Sequence, residues 1–368
     1  MRRTRTSPTL LQSHPLRVGP RKAFTIVELL VVMVVLATLL ALALPAVTKV
    51  RATSRKTSCL NNVRNIAVAL PMFDQTNNRL PPSGAVSHDA SMRNRGHYSW
   101  AVAILPWVEQ KNLFDQLDLD LPLFDPANDE LRTAHVPVYV CPVDISRSDE
   151  GDQPDLSYVV NGGMGFTLQA PNGTRDCPSD PDHVLLDLNG DGSACSGTAA
   201  VDDLDRKLFD HVGLFFMETL NTNISKRHHQ LADCKDGLSQ TFLVSENART
   251  GIDPSSNNSG FANPGPYVVA FYVGNPCNGG HCSTGNVDFS RCNAGNDKIN
   301  SGLWEPEGTS PVPNSFHDGG VHMAFADAHV TFLAENIDGG AYAAMSSPVG
   351  ILLEGTPLQQ PLANLGGL

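Results

Sequence analysis

The sequence predicts an α+β protein in which a long N-terminal membrane-spanning helix packs on an antiparallel β-sheet with long loop insertions. An uncharged apolar run covers residues 29–48, helix-spaced apolar residues follow it, and short apolar runs fill most of the remainder. Of the 368 residues, 41% are hydrophobic and 17% are charged. This composition is typical of a globular chain and excludes collagen-like and disordered proteins.

Charge is distributed unevenly along the chain. Residues 1–64 contain 11 Lys/Arg and one acidic residue, Glu28, whereas the other 304 residues contain 15 Lys/Arg and 37 Asp/Glu. A body this acidic repels phosphate backbones, so nucleic acid is not expected as a partner. A calcium ion is a better candidate ligand.

The N-terminus predicts a basic leader, residues 1–23, followed by a single membrane span, residues 24–48. As a helix, the uncharged run covers roughly 30 Å, the thickness of a bilayer's hydrocarbon core, so membrane lipid is an expected partner. The basic leader favours a cytoplasmic N-terminus and an extracytoplasmic domain over residues 49–368, although basic residues also follow the span. A cleaved secretory signal and an uncleaved signal anchor are the alternatives, and both leave Glu28 without a purpose at the edge of the apolar span.

Beyond the span the helix is expected to continue until Pro81 and Pro82. Residues 98–117 read as a further helical region, in which Pro106 begins a short helix. Apolar residues at spacings of three and four predict one stripe of the long helix that faces a sheet: Cys59, Val63, Ile66, Leu70 and Phe73. Strands are predicted at residues 136–140, 156–160, 241–244, 267–273 and 321–325, with loop excursions at 171–200 and 275–313.

Residues 23–32 read Ala-Phe-Thr-Ile-Val-Glu-Leu-Leu-Val-Val. This segment resembles the processing motif of type IV pilins and type II secretion pseudopilins, although Ala23 stands where Gly is usual. In that family prepilin peptidase cuts before the Phe and methylates its new amino group. The resemblance therefore implies that Ala23, Phe24 and Glu28 serve processing and assembly. It also implies pilin or pseudopilin subunits as partners and a place in the cytoplasmic (inner) membrane, with the main domain in the periplasm or at the cell surface.

Several further blocks, in this order, resemble a bacterial family of pilin-like proteins whose outer part is a domain of unknown function. They lie at residues 59–66, 80–82, 99–114, 140–144, 157–162, 236–246 and 316–327. The family closes with a His, nine residues and Asp-Gly, which this chain matches with His317 and Asp327 but with Ala328 in place of Gly. A Gly there favours a turn with positive φ, so a different local turn is expected here. The resemblance implies a pilin-like fold and no known activity.

The chain contains 8 cysteines, which in an oxidising compartment are expected to form disulfides. Because they lie in the family blocks, Cys59 and Cys141 are the first predicted pair. Cys177 with Cys195 is the second, since that link staples a long loop. The alternative is a zinc site formed by the group Cys277, His281, Cys282 and Cys292, which lacks a paired C-x-x-C spacing.

Residues 187–192, Asp-Leu-Asn-Gly-Asp-Gly, match the first six positions of a calcium-binding loop. Asp187, Asn189 and Asp191 are the predicted ligands. Thr198 occupies the position of the usual bidentate Glu, so Asp202 or Asp203 is expected to complete the site. The alternative is an Asx-rich surface turn without an ion.

Within residues 317–329 lie His317, His322, Asp327 and His329, whose side chains are possible metal ligands or acid–base groups. We expect a β-hairpin in which His317 bonds to Asp327 as a structural partner and His322 faces outward. A metal or acid–base site at the same residues is the alternative.

The predicted function is that of a pilin-like, non-enzymatic envelope subunit assembled into a filament or a secretion pseudopilus. A monomeric membrane-tethered protein that binds a glycan or a calcium-dependent ligand is the second reading. A metal-dependent hydrolase is the third, and the chain has no nucleophile elbow, P-loop or H-E-x-x-H motif to support it.

Overall fold

A computed structural model of the chain describes residues 25–352, except 88–94, 122–124, 129–133, 146–155, 164–210, 220–228, 251, 254–257, 274–276, 279–280, 283–296 and 306–309. The chain divides into two compact units, Met1–Thr53 and Ser54–Leu368. The first consists, in its described part, of the start of a long helix. The second contains the sheet and its core.

The long helix α1 runs from Ile26 to Asn77. Residues 26–50 are all exposed, and this portion is long and apolar enough to cross a membrane. Farther along, the predicted stripe is confirmed, because all five of its residues are buried. The helix ends at Asn77, four residues before Pro81, and Asn78 takes a φ of +54°, a conformation that commonly closes helices.

The helical region predicted at 98–117 forms three short helices. They are α2 (Trp100–Ala103), a 3-10 helix at Leu105–Val108, and α3 (Lys111–Phe114). The prediction that Pro106 begins a short helix is confirmed. A proline in the first turn of a helix is favourable because its missing N–H has no partner within the helix.

Two larger sheets and two short hairpins make up the described strands. In chain order the strands are β1 Gly84–Ser87, β2 Arg95–Ser99, β3 Tyr158–Asn161, β4 Glu218–Thr219, β5 Phe242–Glu246, β6 Ile252–Asp253, β7 Asn258–Ser259, β8 Ala270–Phe271, β9 Cys277–Asn278, β10 His281–Cys282, β11 Gly320–Phe325 and β12 Val330–Ala334. The main sheet has the order β12-β11-β5-β3-β8, and all its neighbours are antiparallel except β3 with β8. A smaller sheet has the order β2-β1-β4.

Two sequence-predicted strands differ from the structure. Residues 137–139 form a 3-10 helix, which Pro137 favours at its first position. The run at 267–273 begins as helix α4 (Pro266–Val269) and becomes strand only at β8. The predicted excursion at 171–200 lies outside the described residues, and that at 275–313 is described only in part, including the hairpin β9–β10.

Both faces of the main sheet are covered. On one face Tyr158, Val160 and Ala324 join the buried stripe of α1 in the larger core cluster. On the other face Val159, Phe242 and Met323 pack with residues of helix α5, Gly339–Ala344. The predicted α+β class is therefore confirmed, and β11 lies between two apolar layers.

Candidate functional site

A buried polar cluster lies where the central strands β5 and β11 meet. Glu246 ends β5 and is the only acidic residue in that strand, Phe-Leu-Val-Ser-Glu. Its side chain is 2% exposed. A carboxylate this deep needs partners, because burying an unpaired charge costs several kcal/mol, on the order of 5.

Two histidines and one backbone amide supply those partners. His317 Nε2 lies 3.1 Å from Oε1 of Glu246, and His322 Nδ1 lies 3.0 Å from the same oxygen. The backbone N–H of His322 donates to Oε2 at 2.7 Å. Both carboxylate oxygens are therefore hydrogen-bonded, and the two imidazole rings meet edge to face with centroids 4.9 Å apart.

Local structure fixes the positions of both rings. The backbone N–H of His317 donates to the Ser315 hydroxyl oxygen, and that hydroxyl donates to the carbonyl of Gly320, where β11 begins. His322 lies within β11 opposite Phe332 of β12, and their rings are 5.2 Å apart. The ammonium of Lys56 lies over the Phe332 ring in a cation–π contact, 3.6 Å from the ring centroid. The hairpin therefore contacts α1.

A disulfide borders the cluster. Cys59 of α1 is bonded to Cys141, which confirms the first predicted pair. Cys141 Sγ lies 3.8 Å from His317 Nε2 and 4.0 Å from Glu246 Oε1. One helical turn after Cys59, the Asn62 amide donates to the carbonyls of Val140 and Pro137, so two adjacent side chains of α1 hold the same segment.

The electrostatics of Glu246 follow from this environment. Burial acts to raise the pKa of the Glu246 carboxyl, but hydrogen bonds from His317 and His322 and the charges of the two imidazoles lower it below its usual range. An ionised carboxylate between two imidazoles joins β5, β11 and the turn before β11. The cluster thus stabilises the centre of the sheet.

The same residues include a set of metal-type donors. One ligand atom each of Cys59, Cys141, Glu246 and His317 lies within 4.8 Å of the others, and all four residues are buried. While the two sulfur atoms are bonded to each other they do not act as thiolate ligands. In the oxidised chain the arrangement is therefore a cross-link beside a hydrogen-bonded carboxylate.

The expected partnership of His317 with Asp327 is wrong. His317 bonds to Glu246, and Asp327 instead accepts from the ring and the backbone N–H of His329, two residues away. The outward orientation expected for His322 is also wrong, because its side chain is 3% exposed. The physical reason is that apolar layers cover both faces of β11, so alternation along the strand does not separate inside from outside.

The turn between β11 and β12 keeps the form that a glycine favours. Ala328 has a φ of +67°, and its N–H donates to the carbonyl of Phe325 at 2.8 Å. The expectation of a different turn is therefore wrong. Since few L-residues take positive φ without strain, Ala328 weakens this turn rather than changing it.

At the start of α1, Glu28 has a local partner. The Thr25 hydroxyl and backbone N–H donate to Glu28 Oε2 at 2.8 and 2.9 Å, and the Glu28 N–H donates to Thr25 Oγ1 at 3.3 Å. This reciprocal pattern is a capping box, which satisfies free N–H groups at a helix start. Glu28 therefore caps α1 within its own chain.

Other predicted site residues lie outside the described part of the chain. They are Ala23 and Phe24 at the processing junction, the second cysteine pair Cys177 and Cys195, and the calcium ligands Asp187, Asn189, Asp191, Asp202 and Asp203. Each of these remains a prediction.

The sequence motifs predict no role for Glu246. The signal that identifies it is a single carboxylate at the end of an otherwise uncharged, fully buried strand. Its partners could not be read from the sequence, because His317 is 71 residues away and meets Glu246 only through the pairing of β5 with β11.

Comparisons with known families agree with this organisation. A family model described as a protein of unknown function, DUF1559, matches residues 48–340. This range includes the four residues with metal-type donors, Cys59, Cys141, Glu246 and His317. A second model, the prokaryotic N-terminal methylation motif, matches residues 20–44. Searches of curated proteins and of solved structures gave no match. With a prepilin-type N-terminus and a family match over most of its length, the chain belongs to the DUF1559 family.

Proposed function

We propose that this chain is a pilin-like structural subunit of the cell envelope, which prepilin peptidase processes and which then assembles into a filament or a secretion pseudopilus. Before assembly the subunit sits in the cytoplasmic membrane with its acidic domain outside. The domain has no enzymatic role in this proposal. Its buried cluster, closed to solvent, supports a stabilising role.

The observation that carries the proposal is the exposed apolar portion of α1. The described side chains from Ile26 to Val50 are exposed, and Ile26 and Leu42 are 84% and 75% exposed. Apolar surface gains roughly 25 cal/mol for each Å² removed from water, so this length of helix needs a cover. Lipid covers it before assembly, and the helices of neighbouring subunits cover it afterwards.

Glu28 gives the assembly step its specificity. After cleavage before Phe24, each subunit carries a free amino group close to an apolar helix. A carboxylate from a neighbouring helix attracts that group strongly, because the surroundings have a low dielectric constant. Among the described residues Glu28 bonds within its capping box, so assembly exchanges a local partner for a neighbour's amino group.

Two matched variants separate the role of Glu28 in the capping box from the role of its charge in assembly. Glu28→Gln keeps a side-chain acceptor for the capping box but removes the charge, whereas Thr25→Ala removes the cap hydroxyl and keeps the charge. We expect Glu28→Gln to be processed and to remain as single subunits in the membrane. Thr25→Ala should still be recovered in assemblies.

The measurement is made in cells that also produce prepilin peptidase. Envelope fractions are cross-linked, separated by size and imaged with an antibody against the domain. Recovery of the parent only as a processed monomer would contradict assembly and favour a membrane-tethered binding protein. Equal assembly of parent and Glu28→Gln would contradict the role of the charge.

A further inference from the structure

The two sulfurs of the Cys59–Cys141 disulfide and two neighbouring donor atoms together have the composition of a zinc site. Two sulfurs, one imidazole nitrogen and one carboxylate oxygen are all ligands that Zn²⁺ takes in proteins, usually four at a time in a tetrahedron. In the oxidised chain the two sulfurs are bonded to each other.

We propose that reduction of the Cys59–Cys141 disulfide converts this cluster into a binding site for one Zn²⁺ ion, with the two thiolates, Glu246 and His317 as ligands. The pocket then has two alternative states. In the oxidised chain a covalent bond joins α1 to the segment before β3, and in the reduced chain a metal ion joins the same two elements.

The distances between the donors support tetrahedral coordination. With Zn–N and Zn–O bonds of about 2.0–2.1 Å and Zn–S bonds of about 2.3 Å, ligand atoms in a tetrahedron lie roughly 3.3–3.8 Å apart. His317 Nε2 lies 3.1 Å from Glu246 Oε1, and Cys141 Sγ lies 3.8 Å from the first and 4.0 Å from the second. Three donors thus already stand near the corners of such a tetrahedron. Cys59 Sγ lies within 4.8 Å of the other three atoms, so after reduction this sulfur separates from Cys141 Sγ and moves to the fourth corner.

Groups behind the ligands hold two of them in place. The backbone N–H of His322 donates to Glu246 Oε2, and the His322 ring contacts Oε1. Ser315 accepts from the backbone N–H of His317. Partners of this kind orient metal ligands and strengthen binding, so the carboxylate and the imidazole need little rearrangement.

The chemistry balances with a dithiol or phosphine as the reductant. Two electrons from the reductant cleave the S–S bond and give two thiols. A dithiol supplies the two protons and becomes a disulfide, whereas with a phosphine one water molecule supplies both protons and the oxygen of the phosphine oxide. Zn²⁺ then displaces one proton from each thiol, and both protons leave to solvent. Nε2 of His317 gives up the proton that it donates to Glu246, either to solvent or to Nδ1 of the same ring, and coordinates as the neutral imidazole. The Glu246 carboxylate already lacks its proton.

The test compares zinc content in the oxidised and reduced full chain, purified in detergent. Each sample is incubated with Zn²⁺, with or without a phosphine reductant, dialysed, and analysed by elemental mass spectrometry. We expect the reduced chain to retain one more equivalent of zinc than the oxidised chain. Equal zinc in the two samples would overturn the proposal.

Variants assign that additional equivalent to the cluster. His317→Ala and Cys141→Ser should each lose it. Cys234→Ser removes a free thiol outside the cluster, and His329→Ala removes a histidine of the same hairpin, so both controls should keep it. Retention of the equivalent by His317→Ala would overturn the assignment.

A measurement on the parent chain identifies the zinc ligands even if the variants do not fold. X-ray absorption at the zinc edge of the reduced parent, loaded with one equivalent, reports the ligand types directly. Two sulfur and two nitrogen or oxygen ligands are the expected result. Four sulfur ligands would place the ion at other cysteines and overturn the proposal.

Discussion

Nε2 of His317 lies 3.1 Å from Oε1 of Glu246, across 71 residues of sequence. This contact fastens the turn before β11 to the end of β5, at the centre of the main sheet. His322 contacts the same carboxylate from the neighbouring strand. Stability of the domain should therefore depend on Glu246 more than on any exposed charged pair of the hairpin.

Replacement of Glu246 tests that dependence. Glu246→Ala leaves two buried imidazoles and the His322 N–H without their acceptor, so the free energy of unfolding should fall by about 3–5 kcal/mol. Glu246→Gln retains an acceptor and should cost less, about 1–3 kcal/mol. Urea unfolding of the oxidised full chain, followed by tryptophan fluorescence, to which the buried Trp100 contributes, measures both.

Asp327→Ala is the matched control for Glu246. Its partner His329 is 45% exposed, so the loss should stay below about 1 kcal/mol. Equal losses for Glu246→Ala and Asp327→Ala would show that the buried cluster contributes no special stability.

The turn at Ala328 offers a stabilising substitution. Ala328 has a φ of +67°, which glycine takes without strain, so Ala328→Gly should raise the free energy of unfolding by about 0.5–1 kcal/mol. Ala326→Gly, at a buried position of the same hairpin, should lower it. Thermal unfolding of the three chains measures the effect, and a lower melting temperature for Ala328→Gly would contradict the strained turn.

Cys234 should react unusually slowly for a free thiol. Burial, together with the charges of Asp233 and Asp236, raises its pKa from 9.0 to about 12. At a given pH near 8 the thiolate is then roughly 10³-fold scarcer than at an ordinary cysteine. Alkylation by iodoacetamide, mapped by peptide mass spectrometry, should be slow in the folded chain, should accelerate as the pH rises, and should reach the ordinary rate in urea. Rapid alkylation of folded Cys234 at pH 8 would contradict this environment.

Calcium binding at residues 187–203 is a prediction from sequence alone. If Asp187 and Asp191 bind the ion, calcium should raise the melting temperature of the chain, since a ligand that binds only the folded state stabilises it. Asp187→Ala combined with Asp191→Ala should abolish the rise. An unchanged melting temperature of the parent in calcium would show that Thr198, in place of the usual Glu, disables the loop.

Local patterns in the sequence predicted the parts of the fold that depend on local spacing. The stripe from Cys59 to Phe73 is buried because residues three and four apart share one face of a helix. The sequence predicts β5 and β11 because each is a short apolar run between turn residues. The family blocks predict the pair Cys59 and Cys141, and the structure contains that disulfide.

Contacts between residues distant in sequence cannot be predicted from local spacing. The Glu246–His317 contact requires the antiparallel register of β5 with β11, in which Met323 lies opposite Ser245. Alternation places His322 on the wrong face because it assumes one solvated face, whereas β11 is buried on both. The turn at Ala328 likewise shows that the surrounding hairpin, rather than the residue itself, can impose a positive φ.

The mature N-terminus tests the central claim most directly, because a prepilin-type subunit must be cut before Phe24. Mass spectrometry of the protein from its native envelope should give a chain that begins with an N-methylated Phe24. This cleavage removes 23 of the 368 residues. A chain that begins after Ala43 or Ala46 would show ordinary signal cleavage and contradict the account.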